Sequence, residues 1–384
     1  MRDEELADGA VLAPGAVAQV PEIVAAAGAR KVLLVCGRTS FDASGAARML
    51  GPLGEVAEVV RFDDFVPNTD AADLARGIAL LAADPPDLVL GVGGGSAMDM
   101  AKLLCAFEDA DPDDLPNAIS SAGVVERRRP GLLLVPTTAG SGSEATHFAV
   151  VYVGDDKHSV AGPAMLPDRV VLDPDLLTSG PAPLRASSGI DALCQAVESL
   201  WATGASEQSR GFARAALDRV LPAIEGFVAD ADAATAAQMS IGAHLAGRAI
   251  NVSKTTAPHA LSYAITKRHG VPHGHAVALT LGPVLAAHAQ ADPADLQPGH
   301  DADAHRQVMD EMLARFGAAD GEAAHRAFVE LVDRVGLAPR LSQLGEVDDE
   351  ELGVLAAAVN VERLANNPVR FDGDGLRAIL DRAR

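Results

Sequence analysis

Short apolar runs alternate with helix-compatible stretches along the first half of the chain. Lys31–Cys36 (KVLLVC), Val56–Phe62, Leu88–Val92 and Gly131–Val135 read as strands. Val20–Ala27, Ala71–Ala83 and Ala97–Phe107 lie between them and read as helices. Gly28 stands where the first would end, and Pro85-Pro86 stop the second. Strands alternating with helices imply a parallel sheet covered on both faces. The period then changes. Ser187–Trp201, Gln208–Phe227 and Ala233–Ala249 carry apolar residues at helical spacing, and from Ala304 onward the chain reads as amphipathic helices. His305 and His325 fall on the charged outer faces of that last region, and Asp301–Asp303 reads as a charged loop. Leu172-Asp173-Pro174 and Thr178–Pro183 link the halves. The expectation is an N-terminal α/β domain with a Rossmann-like parallel sheet over 1–180 and an all-α domain over 181–384.

Several polar residues interrupt this pattern in ways that suggest chemistry. His259 and Tyr263 are four residues apart and share a helix face. Gly270 and Pro272 then break the helix, and His273 heads a new apolar run, so two imidazoles on separate elements can converge on one metal ion. Taken singly, each histidine reads first as a buried ring bonded to backbone or as a helix cap. It is the lysine and three hydroxyl residues just upstream, Ser253–Thr256, that turn the reading toward a site. Leu88–Val92 runs into Gly93-Gly94-Gly95-Ser96, where a helix N-terminus can present N–H groups to a phosphate. Gly131–Val135 runs into Pro136–Glu144 (PTTAGSGSE), a second anion or ribose contact, or a polar loop that caps Glu144. Both loops follow the carboxyl ends of strands, where open α/β sheets bind ligands.

Composition narrows the classes. With 48% hydrophobic and 22% charged residues over 384 positions, the chain is globular, and a net charge of −22 disfavours nucleic acid and anionic membranes. No run of about 18 apolar residues is present for a membrane span. The N-terminal MRDEELADG lacks the pattern of a leader, and the three cysteines show no paired spacing. A cytoplasmic protein is expected.

Gly93–Lys102 (GGGSAMDMAK), Pro136–Glu144 and Gly189-Ile190-Asp191 occur in the order found in the iron-containing (group III) alcohol dehydrogenases, and the chain resembles that family nearly end to end. The resemblance implies the dehydroquinate synthase-like fold and usually a homo-oligomer. It places cofactor contacts at Gly94, Gly95, Ser96, Asp99, Thr137, Thr138, Ser141 and Lys157, with Asp99 also a catalytic candidate. The metal positions map to Asp191, Gln195, His259 and His273. Gln195 departs from the family's usual histidine. Glycerol dehydrogenases also lack that ligand and hold a metal with one Asp and two His, so a divalent ion is expected, iron or zinc. Tyr263 stands where most members have a histidine near the nicotinamide. It is a catalytic candidate, as a proton donor or a ribose contact, or else a buried tyrosine with a structural hydrogen bond.

Two finer expectations follow from the resemblance. After β-strand Lys31–Cys36, Gly37-Arg38-Thr39-Ser40 replaces the carboxylate that would bind a ribose 2′-hydroxyl, which points to NADPH over NADH, with Arg38 on the phosphate or in solvent. Lys254 and Thr255, upstream of His259, suit an anionic head group, with His147 and Arg248 as weaker candidates. KTTAPHALSY and GIDALCQAVESLW resemble the branch that reduces phosphonoacetaldehyde to 2-hydroxyethylphosphonate. The rivals are a general reductase of uncharged short aldehydes and a dehydroquinate-synthase-like cyclase.

Overall fold

The computed structural model describes residues 6, 9–154, 156–359 and 364–384; the N-terminal stretch read as lacking a leader falls mostly outside them. The chain forms two compact units, residues 1–181 with 231–251, and residues 182–230 with 252–384.

The first unit is built on a six-stranded sheet. Its strands are β1 (Ala10–Leu12), β2 (Lys31–Cys36), β3 (Glu58–Phe62), β4 (Leu88–Gly93), β5 (Gly131–Pro136) and β8 (Arg169–Leu172). Their order is β1-β8-β5-β4-β2-β3 and every pairing is parallel. β6 (Phe148–Val153) and β7 (Asp156–Ala161) form a separate antiparallel hairpin. Side chains of β2 alternate between two apolar layers. Leu33 and Val35 join the layer of α2 (Ala71–Ala83) and α3 (Gly95–Ala106), while Val32, Leu34 and Cys36 join that of α1 (Val20–Ala26). With both faces covered, such strands have no polar side to show. β3 is shorter than its apolar run, because residues 50–56 close a preceding helix.

The second unit is helical. It contains α4 (Ala182–Trp201), α5 (Glu207–Ala229), α7 (Ala257–His269), α8 (His273–Gln290), α9 (Ala302–Arg315), α10 (Gly321–Arg334), α11 (Asp349–Ala357) and α12 (Gly373–Ala383). α8 is buried almost all round, as a helix enclosed by other helices must be. The expected charged loop at Asp301–Asp303 is instead a helix start: the Asp301 carboxylate accepts from the backbone N–H of Asp303 and Ala304. That start puts His305 on one stripe with Val308, Met309 and Met312, so His305 is buried and not on a solvated face.

One segment departs from the expected division at 180/181. Helix α6 (Ala233–Ser253) belongs, up to Asn251, to the first unit. Gly247 lies against Gly142 so closely that a Cβ on Gly247 would sit 2.6 Å from the Gly142 carbonyl oxygen. His244 Nδ1 is 3.2 Å from the buried Glu144 carboxylate, and the Asn251 side chain accepts from the His147 backbone N–H at 2.7 Å. These contacts join residues 100 or more positions apart, beyond the reach of periodicity.

Candidate active site

Helix α4 supplies a polar face to an otherwise apolar interior. Asp191, Gln195 and Glu198 follow at i, i+4 and i+7, and all three are buried. α7 brings His259 to this face and α8 brings His273 in its first turn. Gly274 allows that approach, since a Cβ there would lie 2.1 Å from the Ser187 carbonyl oxygen and 2.6 Å from Asp191 Cβ. One ligand atom each from Asp191, His259 and His273 lies within 4.8 Å of the others, and among the described residues no other group of three His, Cys, Asp or Glu does so.

The orientation of these groups fits a divalent ion. Glu198 Oε1 sits 2.5 Å from His259 Nδ1, which leaves Nε2 turned toward Asp191 Oδ1 at 3.4 Å. This is the arrangement of carboxylate, imidazole and metal in which the outer carboxylate sets tautomer and ring angle. Burial works to lower the His259 pKa, but the Glu198 charge, hydrogen bonds to Asp191 and Glu198, and the Asp191 charge outweigh it and raise it to about 9. The same negative field favours a cation between these ligands. Two imidazoles and a carboxylate suit Fe2+ or Zn2+. Gln195 Nε2 donates to Asp191 Oδ2 at 3.2 Å, so here the glutamine braces the carboxylate. The Tyr263 ring stacks on His273 with centroids 5.6 Å apart and planes 5° from parallel, and His273 Nδ1 faces Ser262 Oγ at 3.3 Å.

The first unit collects the nucleotide-binding candidates at one end of its sheet. The chain passes from β2 outward to β3 and returns to β4 on the other side of β2, so strand order reverses between β2 and β4. Ligands bind at such a reversal, beyond the carboxyl ends of the strands. Gly37–Ser40 follows β2, Gly94–Ser96 follows β4 and Thr137–Ser141 follows β5, three adjacent strands in register at Cys36–Val92 and Gly93–Pro136. The last two loops touch: a Cβ on Gly95 would sit 2.9 Å from Ser141 Oγ, and Thr137 N–H donates to the Gly93 carbonyl at 2.9 Å.

Sequence profiles agree with this assembly. The profile described as iron-containing alcohol dehydrogenase matches residues 9–174, and that of the family's C-terminal region matches 185–384. The chain belongs to the iron-containing alcohol dehydrogenase family. It is 33% identical to a phosphonoacetaldehyde reductase of Streptomyces viridochromogenes over 84% of this chain and 81% of that one. It is 28% identical to long-chain-alcohol dehydrogenase 1 of Geobacillus thermodenitrificans, over 96% and 93%. Among solved structures, a sulfoacetaldehyde reductase from Bifidobacterium kashiwanohense in complex with NAD+ superposes with a TM-score of 0.85 at 26% identity, covering 97% of this chain and 96% of that one. The protein is a metal-containing oxidoreductase of the alcohol dehydrogenase and aldehyde reductase class, and its family binds NAD(P).

Within this family member, several expected residues have partners that narrow their roles. Asp99 accepts from Ser143 Oγ at 2.6 Å and from Val150 N–H at 2.9 Å, so it ties the loop after β5 and strand β6 to α3. Burial raises its pKa against the pull of Lys102, Ser143 and Val150. Arg38 pairs with Asp64 at 3.0 Å, and Arg76 holds the same carboxylate at 2.9 Å. Lys254 and Thr255 lie in the second unit, His147 and Arg248 in the first. His147 Nδ1 is 2.5 Å from Asn251 Oδ1.

Two roles were missed in the sequence. Glu198 was readable, because it repeats the Asp191 face two turns on. Lys102 had no such signal. Its buried ammonium donates to the carbonyls of Ser143, Thr146 and Phe148 and to Thr146 Oγ1, which fixes the course of the 143–148 segment. Burial lowers its pKa to about 8 against the charges of Asp99 and Glu144.

Proposed function

We propose that this family member reduces a small anionic aldehyde with NADPH, the best candidate being phosphonoacetaldehyde, converted to 2-hydroxyethylphosphonate. The observation that carries the reading is Lys254, an exposed lysine in a turn anchored to the helix that bears Asp191. Thr256 N–H and Oγ1 both donate to Glu198 Oε2, at 2.6 and 2.8 Å. A cation two residues from that anchor supplies charge-assisted donors to an oxyanion. Partial burial lowers the Lys254 pKa from the ordinary lysine value. The relative's name and the solved neighbour's name support the same class, since both substrates carry an anionic tetrahedral group beside the aldehyde.

Asp191, His259 and His273 would hold the divalent ion, which polarises a carbonyl, while the nicotinamide supplies hydride. The chain's own residues prepare that step. Glu198 and Tyr263 hold the two imidazoles in angle, Gln195 braces Asp191, and Lys254 receives the anionic end. At the other end, Ser40 Oγ occupies the space beside Gly37, where a Cβ would sit 2.2 Å from it. A hydroxyl in place of a carboxylate at this position suits a 2′-phosphate.

The test is competition between phosphonoacetaldehyde and butanal, with each reduced cofactor. Preference for the phosphonate by at least about tenfold in kcat/KM, roughly one charge-assisted contact, supports the reading. Equal turnover makes the enzyme a general aldehyde reductase, the second reading, which the long-chain-alcohol relative favours. Equal use of NADPH and NADH would remove the cofactor assignment.

A further inference from the structure

Lys254 has φ +61°, in the left-handed region that L side chains avoid; Asn68 and Ala231 are the other non-glycine residues with positive φ among those described. A glycine would take this conformation freely. The long cation therefore stands here against local preference, and the surroundings enforce it. Asn366 Nδ2 donates to the carbonyl before Lys254, that of Ser253, at 2.8 Å, and to the carbonyl after it, that of Thr255, at 2.9 Å. The Asn366 Oδ1 in turn accepts from Gly204 N–H at 2.9 Å, and its backbone carbonyl accepts from Thr203 N–H at 2.9 Å. From the opposite side, Ser199 Oγ on α4 meets Ser253 Oγ at 2.8 Å, and Ser253 Oγ donates to the Lys254 carbonyl at 2.9 Å.

We propose that Asn366 is a positioning residue for substrate specificity: its amide clamps the Ser253–Thr256 turn in the one conformation that presents Lys254 to the anionic end of the aldehyde. The inference rests on the anionic-substrate reading and adds a residue more than a hundred positions away that touches no reacting atom. Strained backbone persists where its surroundings over-determine it, and ligand clamps are where it concentrates. The two amide hydrogens of Asn366 match the two carbonyls flanking the strained residue. Neither aspartate nor alanine can reproduce that pairing.

The experiment compares the metal-loaded full-length enzyme with Asn366→Ala, Asn366→Asp, Ser199→Ala, Lys254→Met and the Lys254→Met/Asn366→Ala double variant. KM and kcat are measured for phosphonoacetaldehyde and for butanal. Asn366→Ala and Asn366→Asp are expected to raise KM for the phosphonate about tenfold while kcat/KM for butanal stays within about twofold. Ser199→Ala, which loosens the turn from the other side without touching Asn366, shifts KM the same way by a smaller factor. The double variant is no worse than Lys254→Met alone, because both act through one contact. A purified enzyme with no preference between the two aldehydes overturns the substrate reading, and the clamp with it. A preference that Lys254→Met abolishes but the Asn366 and Ser199 variants keep overturns the clamp alone. Equal losses on both aldehydes also overturn it, since they mark a general structural role. Should both Asn366 variants fail to fold, Ser199→Ala decides by the same criterion.

Discussion

At the scale of single residues, the candidate ligand His259 depends on a carboxylate outside the ligand set. Glu198 faces His259 with one oxygen and Thr256 with the other. Glu198→Gln keeps the size but removes the charge that sets the imidazole. A drop in metal affinity of about ten- to a hundredfold is expected, read by metal analysis and chelator titration. Unchanged affinity would mean that Asp191 and the histidines suffice. Lys254→Gly tests the opposite kind of residue. Releasing a φ of +61° from an L side chain should stabilise the fold by about 1 kcal/mol, seen as a higher Tm, and under the proposed substrate reading discrimination in favour of an anionic aldehyde should go with it. A lower Tm would show that the lysine contributes packing outweighing the strain.

Elements place these residues through close approaches. α8 meets α4 at Gly274, and Gly274→Ala drives a methyl into the Ser187 carbonyl and Asp191 Cβ. The expected outcome is a displaced His273, loss of bound metal and a lower Tm, by about 1–3 kcal/mol of overpacking. Retained metal at native affinity would count against this account of the site. Approaches of this kind divide what could be read in the sequence from what could not. Four strands of the sheet, β2 to β5, were legible because burial on both faces leaves continuous apolar runs. The loops after β2, β4 and β5 stood out because glycine and hydroxyl residues follow those strands. β1 and β8, three and four residues long, left too short a run to read, and Leu172, read as linker, ends β8. His259 and His273 stood out as polar residues inside apolar periodicity. Asn366 above the Lys254 turn, Gly247 against Gly142, and His305 beneath an Asp-capped turn depend on residues far apart in the chain or on a start signal one residue wide. Periodicity carries neither. The contacts that group α6, up to Asn251, with the first unit are of the same long-range kind.

On the scale of the whole molecule, two buried histidines make the fold sensitive to acid. His288 lies well below its ordinary value because of burial first and the neighbouring His305 charge next, and burial likewise lowers His305. In the unfolded chain both protonate near 6.5, so below that pH the unfolded state binds more protons and stability falls as pH drops. Above it their contribution does not change. His288→Leu should flatten the loss of stability between pH 6.5 and 5.5 by up to about 1 kcal/mol, measured as the shift in urea midpoint against the unmodified protein. An identical pH slope would place the acid sensitivity in other groups. No helix among the described residues is long and apolar enough to cross a membrane.

Trp201 gives the enzyme a built-in optical reporter. It is the only tryptophan in the chain, and its indole N–H donates to Thr256 Oγ1 at 2.9 Å. That hydroxyl donates to Glu198, whose other oxygen holds His259. Any cation that draws on His259 therefore shifts the polarity felt by a buried fluorophore three contacts away. Adding iron or zinc to stripped protein should change the tryptophan emission with a single saturating curve, and Thr256→Val, which breaks the relay without removing a ligand, should blunt that change. Metal occupancy then becomes something that can be followed by light, in real time and without a label.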